Sequence, residues 1–280
     1  MKVDLHIHTT ASDGRLTPSE AVRRAAEKGM RAISITDHDS IEGIDEALAE
    51  SRKFPKMLVI PGVEMGADVP HGEMHILGYF VDPYSSVFCQ QMEMLRNSRA
   101  TRGEKMVVRL TEMGVDLNWE HVVRIAAGAS VGRPHIAQAI LERGYVSSLQ
   151  EAFNNYIGDD SPAYVTREKL SPVDTVELIA GNGGLPVLAH PAERENLDDT
   201  VEELKPAGLI GIEVYYKNYT RDTVSRLAQI AKRHGLVCTG GSDYHGFEDS
   251  GNEIGACDVP WETVEHIITL RRQRSTQGKS

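Results

Sequence analysis

Short apolar runs alternate with helical stretches at both ends of this chain, and histidines and carboxylates gather where those runs stop. That alternation narrows the fold more than any other feature. Val3–Ile7, Ala32–Ile35, Leu58–Val63 and Met74–Phe80 read as strands in the first third. Pro186–Ala189, Leu209–Tyr215 and Leu236–Thr239 do so in the last. Between them lie helix signals. Thr17-Pro18-Ser19-Glu20 joins an N-cap, a proline at the first helical position and a capping-box glutamate, and Gly29 is the expected stop. Further helices are predicted at Ile41–Ser51, from Ser171-Pro172, near Arg221–His234 and at about Glu262–Arg272. Repeated strand–helix units predict parallel strands. Roughly seven of them suit an α/β barrel that is closed or nearly so.

The middle differs. Ser98–Ala163 shows helical patterns (Glu93–Met113, Trp119–Ala127, Arg133–Arg143, Leu149–Tyr156) and no convincing strand. The expected organisation is therefore a barrel from residues 1–97 and 164–280, with residues 98–163 as a helical insertion. The polar tail Ser275–Ser280 is expected to fray.

Composition serves mainly to exclude. A formal net charge of −11 over 280 residues argues against coating duplex nucleic acid or lying on a membrane surface. Cys89, Cys238 and Cys257 have no CxxC spacing, so thiols in a reducing cytoplasm are expected rather than a disulfide framework. Cys238, in an apolar run, reads as a packed thiol. No secretory signal or run of 18 apolar residues is visible.

The chemistry lies in three clusters. These are Asp4-Leu-His6-Ile-His8 with Ser12-Asp13-Gly14, then Thr36-Asp37-His38-Asp39, then Gly241-Ser242-Asp243-Tyr244-His245. Residues two apart on a strand share a face, so His6 converges with His8, and Asp243 with His245. Glu64 closes the run from Leu58, His75 sits in Glu73-Met-His75, and His190 follows Leu185–Ala189. Nine ligands result: His6, His8, Asp13, His38, Glu64, His75, His190, Asp243 and His245. Nitrogen and oxygen donors suit Mn²⁺, Zn²⁺ or Fe²⁺, and nine exceed the needs of one ion. Two or three divalent ions are implied, manganese first, bridged by a carboxylate. Three ions and three carboxylates leave about +3, a field that attracts phosphate. His71, His121, His234 and His266 have no partner pattern and are expected to be structural or surface residues. Asp37 and Asp39 are expected either to orient ligands or to solvate a loop.

These motifs together resemble the polymerase-and-histidinol-phosphatase (PHP) family of metal-dependent phosphoesterases. The resemblance spans essentially the whole chain and implies a distorted (β/α)7 TIM-like barrel. It assigns one metal to His6, His8, Glu64 and Asp243. A second goes to Glu64, His75 and His190, and a third to Asp13, His38 and His245. Asp13 stands where some members have histidine.

The insertion carries the substrate clue. Arg99 and Arg102 lie three apart on one helical face. Ser130-Val-Gly-Arg133-Pro134-His135 opens a helix whose free N–H groups favour an anion, to which Arg133 can add a bidentate contact. The insertion is similar to that of the PHP branch that removes the 3′-phosphate from nucleoside 3′,5′-bisphosphates, some members of which also trim short RNA from the 5′ end. The resemblance implies that Arg99, Arg102, Arg133 and His135 hold the substrate. Tyr215, Tyr216 and Tyr219, after a strand, are candidates for stacking on a base.

The expected reaction is in-line attack on phosphorus by a hydroxide bridging the ions. Asp13, His38 and His245 are the candidate proton-transfer assistants. The expected partner is a small nucleotide or short oligonucleotide. One rival is histidinol-phosphate hydrolysis, disfavoured because that substrate has one phosphate and a cationic amine. Another is an amidohydrolase cleaving C–N bonds, disfavoured because no lysine is evident at a strand end to bridge the ions. A third is a metal-binding regulatory domain without catalysis. Oligomeric state is left open.

Overall fold

The computed structural model describes residues 1–70, 72–159, 161–247 and 252–277. Seven strands form one sheet in chain order: β1 (Lys2–Ile7), β2 (Met30–Ile35), β3 (Leu58–Asp68), β4 (Glu73–Tyr79), β5 (Leu185–Leu188), β6 (Gly211–Tyr216) and β7 (Val237–Gly241). The sheet curls until its last strand meets its first. The His8 N–H donates to Tyr244 O at 2.9 Å, and the Tyr244 N–H to His6 O at 3.3 Å. This seam needs a residue without a side chain, because a Cβ on Gly241 would lie 2.4 Å from the His6 nitrogen. The result is a nearly closed α/β barrel.

The β1–β2–β3 and β5–β6–β7 groups are parallel. Strand β4 corrects the expectation of uniformly parallel strands, since it runs antiparallel to both β3 and β5. Strand β3 ends at Asp68 and β4 begins at Glu73, too short a link for a crossover helix. The reversal puts the first residues of β4 at the rim where the parallel strands finish. Strand β3 is also longer than expected, so Glu64 lies within it, opposite Leu77, rather than at its end.

The helices are α1 (Pro18–Glu27), α2 (Ile44–Ser51), α3 (Ser86–Glu112), α4 (Trp119–Ala126), α5 (Arg133–Glu142), α6 (Leu149–Ala152), α7 (Pro172–Gly181), α8 (Leu197–Leu204), α9 (Arg221–His234) and α10 (Trp261–Gln277). Thr17 forms both halves of the capping box of α1, and the Ser171 side chain caps α7. Helix α8 has no counterpart among the expected elements. Helix α10 runs to Gln277, so Ser275–Gln277 are helical rather than frayed. Residues 278–280 and His71 lie outside the described residues. A π-helical turn, Phe153–Ile157, follows α6 where the pattern predicted continuous α-helix.

Barrel strands and outer helices share apolar clusters that include Ile76, Leu188, Ile212 and Val214. The helices between β4 and β5 have a cluster of their own, with Met106, Leu110, Ile136, Ile140 and Ile157. Helix α3 belongs to both: Phe88, Met92 and Leu95 pack on the barrel, and Met106, Val107 and Leu110 pack in the helical segment. The cysteines are free thiols. Among the described residues no helix is long and apolar enough to cross a membrane.

Candidate metal centre

All nine candidate ligands converge on the rim formed by the carboxyl ends of the parallel strands. His6 lies on β1 and His8 just past it, Asp13 in the loop beyond, His38 after β2, Glu64 in β3 and His190 after β5. Asp243 and His245 follow β7. His75 reaches the same rim from near the start of β4, because that strand runs the other way.

Their donor atoms form three overlapping sets, each within 4.8 Å: His6, His8, Glu64 and Asp243; His38, Glu64 and His75; and His8, Asp13, His38 and His245. His190 extends the second set, its Nε2 lying 3.1 Å from Glu64 Oε1 and 3.2 Å from His75 Nδ1. Around Glu64 Oε2 stand His8 Nε2 and His38 Nδ1, both at 3.1 Å, and His6 Nε2 at 3.3 Å. Yet Glu64 Oε2, His8 Nδ1 and His38 Nδ1 are buried without a hydrogen-bond partner. Buried polar atoms are ordinarily satisfied. Lone pairs converging unpaired from several side chains are what divalent cations complete, so these residues fit a multinuclear metal site.

The backbone is held out of its preferred range here. Asp39, His190 and Asp243 have φ of 46°, 29° and 51°, each costing about 1–3 kcal/mol. Such bends turn the chain sharply at strand ends and aim these side chains inward.

A surrounding layer orients the ligands, and most of it was not singled out in the sequence. Glu213, fully buried on β6, accepts at 3.0 Å from His6 Nδ1 and at 2.8 Å from the His190 N–H. One carboxylate thus fixes two ligands from different strands, leaving His6 Nε2 for the cluster. The only signal was an acid inside the apolar run Ile212-Glu213-Val214. Asp4 accepts from Ser242 and from the Gly255 N–H, tying β1 to the loop that carries Asp243. Asp37 accepts from the Thr9 N–H and hydroxyl and the Ser12 hydroxyl, which shapes the loop of Asp13. Asp243 presents Oδ1 to His6 and His8, while Oδ2 accepts from Tyr216 at 2.6 Å and pairs with Lys217 at 3.1 Å. A lysine does therefore stand just past a strand, contrary to expectation. Its partner is Asp243, and Glu64 keeps the central position. Tyr219 accepts from the Ala192 N–H, and Tyr215 packs against the core.

Electrostatics follow from this crowding. Burial alone would raise Glu64, Asp13 and Asp243, yet the adjoining imidazoles hold all three well below the usual carboxylate range. Burial would lower His8 and His75, but carboxylate contacts push them up to about 10 and about 9. His38 goes the other way, to about 3, because burial outweighs Glu64 and Asp13.

A second buried cluster adjoins the first. Arg99 and Arg102 were expected on a helix face; the structure buries both, at 4% and 3% exposure. Arg99 Nε donates to Asp39 Oδ2 at 2.5 Å, and Arg102 Nη1 to Glu73 Oε1 at 3.1 Å. Arg167, which the sequence reading missed, joins them from the chain after the helical segment. Its Nη2 donates to Asp39 at 2.8 Å, and its Nε lies 3.7 Å from Glu73. Lys169 lies 3.3 Å from Glu73. Arg99 Nη2, Arg102 Nε and Arg167 Nε and Nη1 have no acceptor. Gly66 makes the space, since a Cβ there would lie 2.7 Å from Arg167 Nη2. Arg133 pairs with Asp159 at 2.5 Å and lies over the Phe153 and Tyr164 rings. His135 Nδ1 accepts from the Gly132 N–H at 2.9 Å, so its ring caps the start of α5. His121 and His234 pair with Glu142 and Asp198, His266 is exposed, and none of the three belongs to a ligand set.

Comparison with known proteins agrees with this architecture. Residues 4–156 match the PHP domain family. A 3′,5′-nucleoside bisphosphate phosphatase from Chromobacterium violaceum is 31% identical, over 95% of this chain and 97% of its own. The 5′-3′ exoribonuclease Rnm of Escherichia coli is 33% identical, over 86% and 84%. A protein from Bifidobacterium adolescentis described as a metal-dependent phosphoesterase superposes with a TM-score of 0.88 at 30% identity, covering 96% of each chain. A structure from Chromobacterium violaceum, titled an amidohydrolase with bound sulfate and no metal, gives 0.86 at 28% identity, covering 95% and 97%.

Proposed function

The chain belongs to the PHP family, and from that premise we propose that it is a metal-dependent phosphoesterase that removes the 3′-phosphate of nucleoside 3′,5′-bisphosphates and trims short 5′-phosphorylated RNA. The observation that carries this reading is a pair of adjoining clusters with opposite deficits. One has buried lone pairs without cations, and the other has buried guanidinium N–H groups without an anion. A substrate with two phosphates supplies the second directly and places its other phosphate at the first.

The nitrogen and oxygen donors suit manganese, with zinc or iron as alternatives. Held by His6, His8, Glu64 and Asp243, by His75 and His190, and by Asp13, His38 and His245, such ions would activate water and stabilise phosphoryl charge. The protein's own residues do the rest. Arg99, Arg102 and Arg167 receive the 5′-phosphate, with Arg133 and His135 at the adjoining start of α5. That contact converts binding into orientation of the 3′-phosphate. Glu213 and Asp37 keep the ligands fixed. Asp13, His38 and His245 assist proton transfer at the rim. The helical segment, residues 98–163, serves as the substrate-capping part. The arginine cluster also separates this reading from histidinol-phosphate and amide hydrolysis, neither of which supplies a second anion.

The test is phosphate release by manganese-loaded protein from adenosine 3′,5′-bisphosphate, beside AMP, histidinol phosphate and a simple amide panel, with Arg133→Ala in parallel. Selective release from the bisphosphate, weakened in the variant, is the expected result. Equal rates on the three phosphate esters would remove the nucleotide assignment, and amide cleavage alone would remove the phosphoesterase.

A further inference from the structure

Beside Asp13 and His245 the barrel and the helical segment enclose a groove of about 730 Å³ that the reaction on a bisphosphate does not use. The volume is that of a small-molecule site. Arg15 and Phe247 line it on the barrel side, each two residues beyond a candidate ligand; Gln138 of α5, Gln150 of α6 and Phe153 line it on the other. The Arg15 N–H donates to His245 O at 2.8 Å, and its Nη2 donates to Gln138 Oε1 at 2.7 Å. The Arg15 guanidinium lies 4.8 Å over the Phe247 ring. That ring is stacked with the imidazole of His245, 20° from parallel at 6.3 Å. A row of flat groups therefore runs outward from a candidate ligand: imidazole, phenyl, guanidinium. Phe153 opens the π-helical turn, a feature frequent at functional sites, and its ring also carries Arg133.

We propose that this groove seats the second nucleotide of a short RNA, its base stacking on Phe247 in place of the Arg15 guanidinium. The proposal rests on the reading above, in which the arginines take the terminal phosphate. They adjoin the ligand sets through Asp39 and Glu73, next to His38 and His75. A chain entering there and presenting its next phosphate to the metal ligands must continue beyond them, and the groove's lining residues Arg15, Gly246 and Phe247 follow Asp13 and His245 within two residues in the chain. In the reaction, water adds to phosphorus and the bond to O3′ of the first nucleotide breaks, that oxygen taking a proton from water. The first nucleotide leaves as a 5′-monophosphate, and the second keeps the phosphate as its new 5′ end. Flat, sequence-tolerant stacking suits such a position because every base has a π-face.

The experiment compares adenosine 3′,5′-bisphosphate with the 5′-phosphorylated dinucleotide pApA, using manganese-loaded protein and the variants Phe247→Ala and Phe247→Leu. The expected result is a rise in KM for pApA of roughly tenfold, with kcat kept and the bisphosphate changed less than twofold. Quenching of 2-aminopurine at the second position of the dinucleotide, measured on metal-free protein, reads stacking without turnover and should be lost in both variants. Hydrolysis of the bisphosphate but not of pApA, unchanged KM for pApA, equal losses on both substrates, or no wild-type quenching would each overturn the groove while leaving the phosphatase. Failure of the wild type on both substrates would overturn the phosphatase as well.

Discussion

The metal-ligand cluster and the arginine cluster share a wall, yet they are built in opposite ways. The first crowds ring nitrogens around carboxylate oxygens: Glu64 Oε2, His8 Nδ1 and His38 Nδ1 are buried without a hydrogen bond, although His8 Nε2 and His38 Nδ1 stand 3.1 Å from that oxygen. The second gathers N–H groups. Among the described residues Arg99, Arg102, Arg167 and Lys169 pair with Asp39, Glu73 and, at the outer edge through Lys169, Asp68, so four cations meet three carboxylates. Neither cluster would persist as a mere fold stabiliser, because an unsatisfied buried polar atom costs about 1–3 kcal/mol. The difference teaches what the proposed function asks of each cluster: cations on one side and an anion on the other.

The bluntest way to break the contrast is to remove a lone pair. His8→Ala or Asp243→Ala should lower turnover by roughly 10³-fold or more, with bound metal reduced and the circular dichroism spectrum kept. Near-normal rates would remove these residues from the site. Removing an N–H cluster member should hurt selectively. Arg167→Met is expected to cut kcat/KM for a 3′,5′-bisphosphate roughly tenfold to a hundredfold, the worth of a charged hydrogen bond. A nucleoside 3′-monophosphate should change little; equal losses on both would assign Arg167 to structure alone. Between the clusters and the fold stands Glu213. Glu213→Gln should weaken metal binding roughly tenfold, seen in a metal titration followed by calorimetry, and unchanged affinity would refute its orienting role.

The smallest expected effect is one of pH. In metal-free protein His75 and His8 sit at about 9 and about 10, above their ordinary 6.5. A raised folded value contributes stability that is full below 6.5 and fades as pH climbs through 9 to 10. Metal binding runs the other way, since ligation needs deprotonated imidazole. The Tm gap between loaded and metal-free protein should therefore widen as pH rises from 6.5 to 9. A constant or narrowing gap would show that the imidazoles are not the metal's ligands.

How much of this was legible depended on whether a residue acts through local spacing or through distance. His6 and His8 alternate on one strand, and Asp243 and His245 end another, so pattern alone brought them together. Glu213 and Arg167 carry no such pattern: each finds its partners across the barrel, 207 residues from Glu213 to His6 and 128 from Arg167 to Asp39. The reversal of β4 was equally hidden. A strand-like run looks the same in either direction, and only the short link after Asp68 favours the antiparallel choice. Burial of Arg99 and Arg102 escaped for a related reason, because arginines at helical spacing are ordinarily solvated and only Asp39 and Glu73 reverse that here.

Helix α3 has a bearing on selectivity. One uninterrupted run of 27 residues is rooted in the barrel core and reappears in the core of the helical segment, with Arg99 and Arg102 midway along it. The separation between anion pocket and metal rim is thus set by a stiff rod rather than by a hinge. On the proposed function, such a gauge would select a molecule whose two phosphates match its span and reject one whose phosphates are spaced otherwise.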